Sequence, residues 1–168
     1  MSTLRPQPLA ALPPQALRRV VGIMTDIDDT LTAAGRLDPP ALDALIALRA
    51  AQFPVIAITG RPLGWSEPFA RTWPVEAIVA ENGAVALIPE GAALRVEYVQ
   101  DEATRECNAV RLCEVAQRML REVPGALLAR DSAGRVTDIA VDHSEFTHLD
   151  AAAIQHVVAL MQTEGMNA

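Results

Sequence analysis

The chain has 168 residues, of which 51% are apolar and 4% aromatic, and its formal net charge is −7. That length suits one domain, or one domain with a small insert, and the apolar fraction is enough to bury a core of Ala, Val, Leu and Ile. The acidic balance argues against non-specific nucleic-acid binding and against an anionic membrane surface, but not against a small phosphorylated ligand held through a metal ion.

Residues 1–19 contain Pro6, Pro8, Pro13 and Pro14 and lack the apolar stretch of a secretory signal. They are predicted as an extended N-terminal arm. No apolar run approaches the ~18 residues of a membrane span, so a cytoplasmic location with no membrane partner is expected. Val20 to Ile27 is an apolar run that stops at a cluster of acids, as a strand buried on both faces would. Its apolar character predicts a central place in a parallel sheet, between the second and third strands or beside one of them. Asp38-Pro39 reads as an N-cap followed by a first-turn proline. The helix behind it repeats Leu42, Leu45, Ile46 and Arg49 and runs to about Gln52. Val55 to Ile58 is a second buried strand, closed by Thr59-Gly60-Arg61. A helix over Leu63 to Thr72 follows, with Pro68 as an internal irregularity. Ala77 to Ala80 is a third strand, closed by Glu81-Asn82-Gly83.

Strands joined by helical crossovers predict an α/β fold with a Rossmann-like parallel sheet. Ligands collect outside the carboxyl ends of such strands. The polar clusters 26–30, 59–61 and 81–83 all fall there.

Past Glu90 the rhythm becomes α+β, and a boundary is expected near 89–92, dividing residues 20–90 from 91–168. Leu94 to Val99 alternates like a half-exposed strand. Glu102 to Glu122 is a long amphipathic helix, with Val110, Cys113, Ala116 and Leu120 expected inward. Ala126 to Arg130 and Arg135 to Val141 suggest a hairpin around Ser132-Ala133-Gly134. Asp150 caps a last helix with Ile154, Val157, Val158 and Met161 inward. Cys107 and Cys113 have no metal spacing and read as core thiols. His143, His148 and His156 form no HExxH pattern and read as surface or capping residues.

The segment Asp26-Ile27-Asp28-Asp29-Thr30 concentrates the chemistry. Carboxylates two residues apart at a strand end can face one cavity. They repel unless a cation or a shared proton intervenes. Asp26, held ionised, can attack phosphorus. Asp28 can carry a proton to the leaving oxygen and later take one from water. Mg²⁺ needs only one or two carboxylates besides its waters. Asp26 and Asp28 are thus candidate catalytic residues and candidate metal ligands.

The run DIDDTLT after an apolar strand resembles the first motif of the haloacid dehalogenase superfamily. ITGRP resembles its second motif, and AENGA resembles a feature of the branch that includes Cof-like, sucrose-phosphate and trehalose-phosphate phosphatases. RVTDIAVDHSE looks like part of the α/β cap that this branch inserts after the third strand. The resemblance implies a magnesium-dependent phosphatase acting on a phosphorylated sugar or similar small metabolite. It implies Asp26 as nucleophile and Asp28 as acid and base. It places Mg²⁺ on Asp26 and the Asp28 backbone carbonyl. Thr59 would hydrogen-bond the phosphoryl group, with Arg61 and Asn82 as further phosphate or substrate contacts. Asp29 and Thr30 would structure the loop.

The departures are specific. All 14 basic residues are arginine, so the lysine that accompanies the phospho-aspartate in that family has no counterpart. No later acidic motif follows, and the chain is expected to be the front part of a longer enzyme, with a partial cap and slow turnover. A second reading is a remnant that binds metal or a phosphorylated ligand without turnover, or pairs with another copy to cover an open sheet edge. A third, a phospho-acceptor signalling domain, ranks below both because the two key acids share the first strand and no lysine is present.

Overall fold

The computed structural model describes residues 8, 11 and 13–168. Most of the expected N-terminal arm lies outside the described residues. Its described part departs from the extended expectation in carrying a short helix, α1 (Pro14–Leu17). Pro14 stands at the first helical position, where its fixed φ already suits a helix and its missing N–H costs no bond.

The core is α/β. In chain order it holds β1 (Ile23–Asp26), the small hairpin β2 (Thr32–Ala33) and β3 (Arg36–Leu37), α2 (Pro39–Ala50), β4 (Val55–Ile58), α3 (Leu63–Thr72), β5 (Ala77–Ala80), β6 (Val85–Glu90) and β7 (Ala93–Tyr98). The five-stranded sheet has the order β1-β4-β5-β6-β7. β1 runs parallel to β4, with Asp26 opposite Ile58, and β4 runs parallel to β5. β6 and β7 then fold back antiparallel as a hairpin. Its turn at Gly91 and Ala92 falls within the expected boundary segment, and β7 returns to the same sheet.

The parallel order explains where the polar clusters lie. Every crossover helix returns the chain to the same end of the sheet, so the carboxyl ends of β1, β4 and β5 are neighbours. The core beneath them joins Ile27, Leu45, Val55, Ala57, Ile78 and Leu87. Trp65 and Phe69 of α3 and Trp73 at its C-cap pack in succession with tilted rings, their centroids 4.6 and 4.8 Å apart. α3 keeps a helical path through Pro68.

One expectation is met only in part. The first strand lies parallel beside the second, as expected, but it is not central: β1 ends the sheet with β4 as its one neighbour among the described residues. Only Ile23 to Asp26 pair, and Val21 and Met24 stand 85% and 73% exposed. The apolar run identified a strand with nothing yet laid against one side of it.

The second half comprises α4 (Glu102–Glu122), β8 (Leu127–Leu128), β9 (Val141–Asp142) and α5 (Ala151–Thr163). Both helices start at side-chain caps. Asp101 accepts from Thr104 N at 2.8 Å, and Asp150 accepts from Ala153 N at 2.8 Å. Val115, Ala116, Met119 and Val123 of the α4 region pack against Val157 and Leu160 of α5 in a separate apolar cluster. The buried stripe of α4 is therefore rotated from the expected one. Val110 and Leu120 are exposed, and so are Cys107 and Cys113, which are not core thiols. Val115 and Met119 are four apart and face α5 together; Val110 falls on the opposite side. The expected hairpin shrinks to Leu127 opposite Asp142 and Leu128 opposite Val141. A 3-10 turn at Ser132–Gly134 and a long loop occupy the rest.

Candidate active site

Asp26 ends β1 and the chain then turns sharply. The Ile27 carbonyl accepts from the amides of Thr30, Leu31 and Thr32 and from the Thr32 hydroxyl. Asp29 takes φ +56° to make that turn. The loop presents Asp26 and Asp28 differently. Asp26 is exposed, and its carboxylate accepts one hydrogen bond, from Thr30 Oγ1 at 3.1 Å. Asp28 is gripped. Arg61 Nε and a terminal guanidinium nitrogen each donate to its Oδ1 at 3.2 Å, and Thr59 Oγ1 donates to its Oδ2 at 3.3 Å. Thr59 itself is 2% exposed and accepts from the Arg61 amide at 3.0 Å. Asp28, Thr59 and Arg61 thus form one unit, while Asp26 stands beside it. The hydrogen bond that Arg61 donates to Asp28 raises the Arg61 pKa above its ordinary value, against the cost of burial.

Asn82 occupies a different place. It adopts φ +56° directly after β5, and its amide donates to Asp138 Oδ2 at 3.4 Å. It also packs on the β4 turn: a Cβ at Gly60 would stand 2.9 Å from its Oδ1. Its contacts join loops, and it does not line the cavity beside Asp28.

Sequence reasoning passed over Glu81. This carboxylate is 2% exposed at φ +49° and accepts from four donors. They are the amides of Leu63 (2.9 Å), Val136 (3.0 Å) and Thr137 (2.7 Å) and the Thr137 hydroxyl. Glu81 therefore pins the 131–138 loop to the start of α3. Beside it Gly64 and Gly134 approach so closely that a Cβ on Gly64 would lie 3.2 Å from the Gly134 Cα. Charge continues the join. Arg61 lies 3.7 Å from Asp131, and Arg135 pairs with Asp131 at 3.3 Å and Asp138 at 2.8 Å. Burial opposes the charged form of Arg135, yet the hydrogen bonds it donates to Asp138 and Asp131 outweigh it and raise its pKa. An acid directly after an apolar strand, and an Arg-Asp pair three residues apart, were the available signals.

Between the strand-end loops and this second half lies a cavity of about 570 Å³. Asp28, Gly60 and Arg61 form one wall; Arg130, Glu145 and Phe146 belong to the other. That volume falls in the ordinary range for small-molecule sites. Asp142 shapes the far wall. Its carboxylate accepts from the amides of Ser144, Glu145, Phe146 and Thr147 at 2.9–3.2 Å. Burial pushes its pKa up, but these four donors prevail and hold it below the usual carboxylate range.

A family model described as haloacid dehalogenase-like hydrolase matches residues 23–113. The chain belongs to this family. No curated protein sequence matches it. Among solved structures, this haloacid dehalogenase-like chain is similar to Thermoplasma acidophilum 0175. The TM-score is 0.64 and the identity 12%, over 84% of this chain and 56% of that one. It is similar to the C-terminal domain of Candida albicans trehalose-6-phosphate phosphatase, with TM-score 0.58 and 16% identity over 83% of this chain and 47% of that one. It is also similar to N-terminally truncated Plasmodium falciparum IMP-nucleotidase, with TM-score 0.53 and 10% identity over 89% and 49%. At such identities the likeness concerns the fold. The chain spans about half the length of these structures.

The family implies Mg²⁺, and the residues present fit it in part. Among the described residues no three His, Cys, Asp or Glu side chains converge to hold a metal ion. Mg²⁺ does not require three, because it takes oxygen ligands and keeps several waters. The exposed Asp26 carboxylate is a suitable donor. Both Asp28 carboxylate oxygens are engaged by Arg61 and Thr59, so of Asp28 the backbone carbonyl, which the family resemblance implies as a ligand, would remain available to such an ion.

Proposed function

We propose that the chain is a phosphomonoester hydrolase that works through an aspartyl-phosphate on Asp26, with a phosphorylated sugar or similar small metabolite as substrate. The observation that carries this reading is the contrast between two neighbouring carboxylates. Asp26 ends a parallel strand with no ion-pair partner among the described residues, while Asp28 is held by Thr59 and Arg61 at the wall of a cavity. Asp26 Oδ attacks phosphorus and the ester P–O bond breaks. The leaving oxygen takes its proton from Asp28. Water then attacks the acyl phosphate, gives its proton to Asp28, and releases orthophosphate and the Asp26 carboxylate. Thr59 and Arg61 can exchange Asp28 for phosphoryl oxygens when substrate arrives, placing a hydroxyl donor and a fixed positive charge on the transferring group. That exchange also frees the Asp28 carboxylate from the guanidinium so that it can face the leaving oxygen. Mg²⁺, held by Asp26 and the Asp28 carbonyl, would supply further charge neutralisation.

We assign residues 20–90 to the catalytic core and 91–168 to a cap, with β7 reaching back into the core sheet. A cytoplasmic setting belongs to the same reading; no helix among the described residues is long and apolar enough to cross a membrane. A second reading, ligand binding without turnover, draws on the grip of Arg61 on Asp28 and on the absence of a convergent metal cluster among the described residues.

Trapping separates the two. The chain is mixed with a ³²P-labelled sugar phosphate and Mg²⁺, quenched in acid and assayed for base-labile label. The phosphatase reading expects label on Asp26, absent in Asp26→Asn, and orthophosphate release that stops when EDTA removes the metal. Saturable binding without label or release over a broad panel of sugar phosphates would favour the second reading.

A further inference from the structure

The cavity beside Asp28 contains a cation that phosphoryl transfer does not use. Of the three arginines that line it, two are committed. Arg61 pairs with Asp28 and Asp131, and Arg135 pairs with Asp131 and Asp138. Arg130 has no carboxylate within salt-bridge distance among the described residues. It lies flat on the Phe146 ring instead, its guanidinium carbon 3.5 Å from the ring centroid. Stacking fixes the plane of a guanidinium while leaving its edge N–H donors free, and that edge matches a carboxylate in a two-pronged contact. The platform is built. The Phe146 amide donates to Asp142 at 3.0 Å, and the Ala129 amide, next to Arg130, donates to Ala140 O at 2.8 Å. Glu145 lines the same wall without an ion-pair partner among the described residues, and can accept from ligand hydroxyls.

We infer that Arg130, oriented by Phe146, is a subsite for a second anionic group, and that the preferred substrates are phosphorylated hydroxy acids or sugar acids rather than neutral sugar phosphates. This rests on the phosphatase reading, since it takes the Asp28 and Arg61 end of the cavity as the phosphate end. The arrangement sorts ligand groups by chemistry. The phosphate lies toward the strand ends, the carboxylate on the free guanidinium and the hydroxyls toward Glu145.

The test uses two probes that differ at one carbon: racemic 3-phosphoglycerate, with a carboxylate, and racemic glycerol 3-phosphate, with a hydroxymethyl group. Their dissociation constants for the full chain are measured by calorimetry with Mg²⁺ present. A charge-assisted contact of this kind predicts roughly tenfold or greater preference for the carboxylate probe. Arg130→Gln should erase the preference and leave glycerol 3-phosphate affinity within about twofold, because only the carboxylate contact is charge-assisted. Arg130→Lys should keep part of the preference, and Phe146→Leu should lower it with the charge intact. Equal affinities in the native chain, or a preference that survives Arg130→Gln, would overturn the subsite while leaving the phosphatase reading in place. Binding of neither probe would remove both.

Discussion

At the scale of the residue, Glu81 does the most to bring the cavity walls together. It and Asn82 take left-handed backbone angles, which cost non-glycine residues about 1 kcal/mol or more each, and Gly83 follows at φ +102°. In return one buried carboxylate serves four donors from two distant segments. Glu81→Ala should lower the unfolding free energy by about 2–3 kcal/mol, because it strands buried amide donors. Glu81→Gln should cost less, about 1–2 kcal/mol, because its amide oxygen still accepts. Denaturant midpoints at constant slope measure both, and a Glu81→Ala midpoint equal to that of the native chain would refute the pinning role. Thr59 gives a contrasting case. Its hydroxyl donates to Asp28, and on the proposed mechanism it would turn to the transferring group, so Thr59→Ala should lower kcat about 10²-fold while moving the midpoint little. Parallel loss of both would make Thr59 a packing residue.

At the scale of the element, the Asp142 loop is a pH-sensitive wall. The folded pKa of Asp142 lies below its unfolded value. Its contribution is therefore fully present above the unfolded value, about pH 4, and is lost as pH falls through the folded value. The stability difference between the native chain and Asp142→Asn should be constant at neutral pH and shrink toward zero in acid. The amide shifts of Ser144 to Thr147 should move together over the same range, and a difference that persists unchanged in acid would rule the mechanism out. α4 offers a second check. Met119 is fully buried and Val110 is 62% exposed. Met119→Ala should cost about 2–5 kcal/mol, and Val110→Ala no more than about 0.5 kcal/mol. The reverse order would restore the face that periodicity suggested. That error shows what a helical pattern holds. The bounds of α4 follow from its cap at Asp101 and its continuous helix-forming sequence. Two overlapping apolar stripes run along it, and only the position of α5 selects one. Similarly, β4 and β5 were legible because apolar runs of four residues ended at Thr59 and Glu81. The residues that fold back from 131–142 to those ends left little mark, because their partners are 50 or more positions away.

At the scale of the whole molecule, the α/β class and the convergence of three strand ends were readable, since both follow from alternating strands and helices. The place of β1 was readable only in part: its parallel pairing beside the second strand was expected, but a run of apolar residues is compatible with a centre or an end. Its exposed Met24 and Val21 make that end of the sheet prone to pair with other chains. Met24→Lys should reduce light scattering in concentrated solution without lowering the melting temperature. Scattering unchanged by that substitution would show that association arises elsewhere. The pinning of residues 136 and 137 by Glu81 also has a consequence in time. It joins positions 55 and 56 apart in the chain, so the entropy of closing that long loop must be met before the join forms. β1, β4 and β5 can pair through much shorter connections. The sheet should therefore assemble first, with its strand ends open to solvent while α4 and α5 are still collapsing onto each other. A refolding chain should recover its sheet signal in an early phase and its capacity to enclose a ligand only in a later one.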